Sequence, residues 1–192
     1  TMGTLEQQLA NADREEVYLP RLRTDILQEL SATEKTVITV DPESVPGLTP
    51  EQRARLTITV PPGSLIGHDG QPLAGGQVGI SLAPPELVRD MLPPGVLQHT
   101  FDITVQAPGI DRFTTPAPMT FPNVFNAAPG TQVNLLSFDH TTGQLVIEGT
   151  ATVSADGLTA STDPGTGVTH PGWHGLTPPG GPSDPPCPPP II

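Results

Sequence analysis

The sequence predicts a mainly β protein: an antiparallel β-sandwich of about nine short strands, with a short helical N-terminal arm and a polyproline C-terminal linker. Three observations carry this. Short runs alternate apolar and polar residues, as in Leu56-Thr57-Ile58-Thr59-Val60, the period of two that marks a half-buried strand. Turn signals separate the runs, among them Pro61-Pro62-Gly63, Asp69-Gly70, Pro108-Gly109 and Asp156-Gly157. Gly (20) and Pro (26) make up nearly a quarter of the 192 residues, about twice the ~12 % average, which suits short strands and breaks helices.

The first 34 residues differ in kind from the rest. Thr4 to Leu30 is rich in charge and places apolar residues at helical spacings: Leu5 and Leu9, then Leu22, Ile26 and Leu30. Pro20 is expected to divide this arm into helices over about 4–18 and 22–31, with Thr4 and Gln7 as a capping box. An apolar stripe of this kind must dock, on the sheet or on a neighbouring domain.

Strands begin after Lys35, in a domain expected over 35–176. Val37, Ile38 and Val40 open the first, and Asp41-Pro42 ends it. Thr49-Pro50-Glu51-Gln52 reads as a short helical turn, with Thr49 as N-cap and Pro50 at the first helical position. Leu56–Val60 and Val78–Leu82 alternate cleanly, and Glu86 to Met91 suits one helical turn. In Thr100–Gln106, Phe101, Ile103 and Val105 share one face. The run around Met119 and Phe121 has Pro116, Pro118 and Pro122 at its ends, which places it at a sheet edge. Gln132–Phe138 is a more continuously apolar strand, and Asp139 to Gly143 turns it into Gln144–Glu148. Ala151 and Val153 lead to the Asp156-Gly157 hairpin and its return, Leu158–Thr162. Residues 177–192 contain PPGGPSDPPCPPP, which cannot form a core and reads as an extended linker.

Composition excludes several functions. The net charge is −12 and Lys35 is the only lysine, so neither nucleic acid nor an anionic membrane surface is an expected partner. No apolar run reaches transmembrane length, so no membrane insertion is expected. The single cysteine, Cys187, forbids an intrachain disulfide and leaves the compartment open. The start, Thr1-Met2-Gly3, reads as an excision boundary, making the chain a fragment of a multidomain protein.

The segments VPPGSL (60–65), DGQPLAGGQVGISL (69–82) and FTTPAPMTFPN (113–123) resemble the ZU5 type of β-sandwich module. With Pro129-Gly130-Thr131, Thr142-Gly143, Gly149–Gly157 and Trp173-His174, they are similar to a repeat-associated domain of very large bacterial surface proteins. The resemblance covers about 35–175 and rests mostly on turn and core residues. It implies a secreted or cell-surface location and a spacer or adhesive role, with neighbouring domains or another protein as partners. Some ZU5-type modules cleave their own backbone at a His-Phe-Ser motif. The nearest counterpart is His99-Thr100-Phe101, whose order differs, so self-cleavage at His99-Thr100 is not expected.

Few residues suggest chemistry. His170 and His174 flank Trp173 in HPGWHG, and two histidines four apart on a helix could share a metal. Pro171-Gly172 argues against a helix, and the simpler expectation is that Trp173 plugs an end of the sandwich while His174 bonds a backbone carbonyl. Asp69, Asp111, Asp139, Asp156 and Asp163 sit in expected loops, where calcium would need six to eight oxygens; turn geometry explains them more simply. There is no G-x-S-x-G, H-E-x-x-H or phosphate loop. The expectation is a non-enzymatic structural or interaction module without a cofactor. Its partner-contact stripe would be Leu5, Leu9, Leu22, Ile26 and Leu30. The alternatives are a calcium- or glycan-binding loop-end module and a self-cleaving module.

Overall fold

The computed structural model describes residues 22–83, 102–139, 144–177 and 179. The expected turn at Glu86–Met91, the His99-Thr100 bond, Leu5, Leu9 and nearly all of the proline-rich linker lie outside these residues. Within them the protein is mainly β and every strand pairing is antiparallel, the expected fold class.

Twelve strands occur among the described residues: β1 (Gln28–Glu29), β2 (Thr36–Thr39), β3 (Thr57–Val60), β4 (Leu65–Gly67), β5 (Gln77–Leu82), β6 (Asp102–Gln106), β7 (Ile110–Phe113), β8 (Met119–Pro122), β9 (Gln132–Asp139), β10 (Gln144–Val153), β11 (Thr159–Thr162) and β12 (Gly172–Leu176). Ten form one sheet in the order β1-β5-β6-β12-β9-β10-β11-β8-β3-β2, while β4 and β7 pair separately. The sheet curls until its ends nearly meet. The side-chain amide of Gln28 in β1 completes the closure, donating to Thr39 O in β2 (2.6 Å) and accepting from Thr39 N (3.3 Å). A side chain here supplies the pair of bonds a neighbouring strand would give, which covers part of an otherwise open edge.

The interior is aliphatic. Ile38, Leu56, Ile58, Ile80, Ile103, Leu135 and Phe121 are fully buried in one cluster. A second cluster of Ala83, Leu136, Leu145 and Trp173 lies on the other face of the sheet, because Leu136 and Trp173 alternate with the inward-facing Leu135 and Leu176. The one α-helix among the described residues, α1 (Pro50–Ala54), has the expected Thr49 N-cap. Gln52 N donates to the Thr49 hydroxyl, and the Gln52 side chain accepts from Thr49 N.

Several elements differ from expectation. Residues 22–31 are not a helix: Thr24–Ile26 is a single 3-10 turn, followed by β1. A helix this short has little stability of its own, and the sheet offers more. Leu30 N donates to Gly76 O (2.9 Å), and Gln28 pairs with Val78. Gly79 makes room for Ile26, since a Cβ there would lie 3.0 Å from Ile26 Cγ1 and 3.0 Å from Ile26 O. The sheet therefore starts before residue 35, and Thr177 N bonding to Asn134 O extends the fold past 176. Strand β8 is not at an edge but between β11 and β3. Its prolines permit this because Pro116 and Pro118 precede the strand and Pro122 ends it. Strand β6 is buried on both faces, Asp102, Thr104 and Gln106 included, rather than alternating between core and solvent.

Candidate functional site

A buried polar cluster is built where β10 breaks its register. Ile147 pairs with Leu136 and Gly149 with Leu135, leaving Glu148 as the extra residue of a β-bulge. A bulge re-aims the side chain at the irregularity, and Glu148 turns inward, retaining 9 % side-chain exposure. Gly149 lets the 163–171 connection lie against the strand, since a Cβ there would meet Thr166 Cβ at 2.9 Å. That connection is pinned to β7 by Phe113 N donating to Thr169 O (2.7 Å), and by the bridge between Ala117 and Val168.

Three residues converge on the Glu148 carboxylate. Oε1 accepts from Thr169 N (2.8 Å) and from the Thr169 hydroxyl. Oε2 faces Nδ1 of His174 at 3.4 Å. His170 Nδ1 stands 3.9 Å from Oε1 and 3.2 Å from Thr169 Oγ1. Burial pushes the Glu148 carboxyl up, but the facing His174 imidazole and the two Thr169 donors outweigh it and hold the group below its ordinary range.

His174 has no solvent exposure. It sits on β12 opposite Ser137 of β9, on the core face, two residues from Leu176. Its Nε2 donates to His170 O (3.0 Å), the carbonyl bond expected from the sequence, while Nδ1 meets the carboxylate. Both ring nitrogens thus face acceptors. His170 Nε2 lies 3.2 Å from Ser137 Oγ and 3.4 Å from Phe138 O.

Ser137, His170 and Glu148 follow the nucleophile–base–carboxylate order of a hydrolytic triad, with Thr169 inserted between the last two. Access sets this trio apart from such a triad. Ser137 is 1 % exposed in the middle of β9, flanked by β10 and β12. The arrangement instead ties β9, β10, β12 and the 163–171 connection together.

The structure brings together the two histidines singled out by sequence, with ring centroids 5.7 Å apart. They meet around a carboxylate and not on a helix. Among the described residues, no group of three or more His, Cys, Asp or Glu is placed to hold a metal ion. Trp173 is not an end plug: it lies on β12 in the middle of the sheet, its ring 5.6 Å from that of Phe138. Of the apolar stripe, Ile26 and Leu30 are buried and Leu22 is exposed. The loop aspartates are dispersed and locally engaged. Asp69 accepts from Gln71 N, Asp111 pairs with Arg112 at 2.7 Å, and Asp156 accepts from Ser154 Oγ and Leu158 N. Asp163 binds the hydroxyls of Thr150 (2.5 Å) and Thr152 (2.6 Å) and the amide of Gln132 (3.1 Å).

Sequence reasoning missed Glu148 and Thr169. The signal for Glu148 was present: an acidic residue followed by Gly within an otherwise apolar and threonine-rich strand, QLVIEGTATV, marks a bulge. Nothing in the sequence pointed to Thr169. Comparison with protein-family models, with curated proteins and with solved structures finds no match to this chain. Among the described residues, no helix is long and apolar enough to cross a membrane.

Proposed function

We propose that this chain is a non-enzymatic structural and interaction module, a spacer or adhesive unit of a large bacterial extracellular protein. The observation that carries the reading is the direction of its chemistry. The cluster that most resembles a catalytic constellation, Glu148 with His174, His170, Thr169 and Ser137, is turned into the sheet and spent on holding strands together. The closure of the sheet by Gln28 also favours this role, since it limits unintended strand pairing between neighbouring units. The ZU5-like resemblance of 35–175 supplies the extracellular, multidomain setting, with neighbouring domains of the same polypeptide or another protein as partners.

Two measurements on the purified chain test this together. Intact mass is expected to give one unbroken 20.1 kDa species after prolonged incubation; two fragments meeting at His99-Thr100 would replace the reading by a self-cleaving module. Thermal melting is expected to be unmoved by millimolar calcium or by chelator. A calcium-dependent rise would favour the loop-end ligand module instead.

A further inference from the structure

We propose that Glu148 and His174 form a single-proton latch, which keeps the 163–171 connection and β12 clamped to β10 only while the pair shares one proton beyond the His174 Nε2–H. The geometry leaves few alternatives. Nε2 is committed to His170 O at 3.0 Å, so it carries hydrogen. Nδ1 and Glu148 Oε2 face each other at 3.4 Å, both buried and neither with a hydrogen-bond partner. With one proton between them, a fully buried imidazolium meets a carboxylate. With none, a lone pair faces an anion away from water, and with two, a buried cation has lost its counter-charge. Both departures are costly in a low-dielectric site.

The surroundings offer His174 little substitute. From β9 the residue opposite is Ser137, a hydroxyl. From β6 it is Ile103, with the buried Asp102 one position along, opposite Gly175. On β7, Asp111 and Arg112 are paired with each other. The connection contributes Thr169 and His170, and His170 is the only other ionisable side chain against Glu148 among the described residues, 32 % exposed and 3.9 Å away. The clamped segment is also the route into β12, a central strand, so its release would reach the middle of the sheet and the chain that leaves it.

Trp173 adjoins His174 in β12 and is the only tryptophan, so its emission reports changes in that strand from the opposite face of the sheet. The experiment is a titration of the full chain from mildly acidic to mildly alkaline pH. It follows Trp173 emission and the amide exchange of 166–176 corrected for intrinsic rate, in the wild type, His174→Gln, Glu148→Gln and His170→Gln. In the wild type, emission is expected to change and exchange in this segment to quicken about tenfold on the alkaline side. Glu148→Gln is expected to abolish the alkaline change, because a glutamine amide donates to an unprotonated Nδ1. His174→Gln abolishes it as well, and His170→Gln keeps it. If His174→Gln does not fold, Glu148→Gln decides alone. A wild-type profile flat across the range, an alkaline change surviving in Glu148→Gln, or its loss in His170→Gln would each overturn the latch.

Discussion

Replacing Asn123 by Ala removes a side chain that makes three hydrogen bonds at once. Its Nδ2 donates to Ala127 O (2.9 Å) and to Gly157 O (2.8 Å), and its Oδ1 accepts from Ala127 N (3.1 Å). One residue thereby closes the 123–127 loop and joins it to the β10–β11 hairpin, and the loop carries Val124, Phe125 and Ala127 onto the core. At about 1 kcal/mol net for each bond the sum is about 3 kcal/mol. The site is half-buried, so water regains part of this and about 2 kcal/mol remains. For a chain of this size that lowers the melting temperature by about 4–8 °C, readable by circular dichroism or calorimetry. Asn123→Asp is the control: it keeps the shape but turns an anionic oxygen toward two carbonyls, so it should cost at least as much as alanine. A melting temperature within a degree of wild type for Asn123→Ala would refute the assignment of Asn123 as the pin.

Three further outcomes are expected. Thr49→Ala removes the N-cap of α1 and should cost about 1 kcal/mol in chemical denaturation with an unchanged m-value. Gly79→Ala sets a Cβ against the main chain of Ile26, which cannot yield as a side-chain tip would. It should destabilise by about 1–3 kcal/mol and speed amide exchange in 26–30 before the core strands. On the acid side the sign follows from two carboxylates. Burial raises both, but hydrogen bonds from Thr150, Thr152 and Gln132 hold Asp163 below its ordinary range, as His174 and Thr169 hold Glu148. On this side each therefore contributes stability that is lost as pH falls from the ordinary carboxylate range toward its lower folded value. Urea midpoints across that window should fall for the wild type and fall less for Asp163→Asn.

The parts of the fold that were legible share a physical basis. Leu56–Val60 and the Asp156-Gly157 hairpin are local patterns, in which side-chain alternation and turn chemistry act within a few residues, and both stand as read. So does the Thr49 cap, whose donors and acceptors all lie within one helical turn. The illegible parts depend on partners distant in sequence. Ile26 and Leu30 have helical spacing, yet the notch at Gly79 and the carbonyl of Gly76 draw them into a strand-like path. Asp102, Thr104 and Gln106 look like a solvent face, but β6 is covered on both sides. The candidate site divides in the same way. His170 and His174 were conspicuous by composition, whereas the Glu148 that gives them a role needed a bulge, and Thr169 needed the path of the 163–171 connection.

A double-mutant cycle on Glu148 and His174 tests most directly whether the site chemistry is spent on the fold. Unfolding free energies at neutral pH for Glu148→Ala, His174→Ala and the double variant give the coupling between the two side chains, free of their separate packing losses. A structural lock of this geometry should show a coupling of about 1 kcal/mol or more, with the double variant costing clearly less than the two single losses combined. Losses that add to within about 0.3 kcal/mol would mean that the pair does not hold the sheet together.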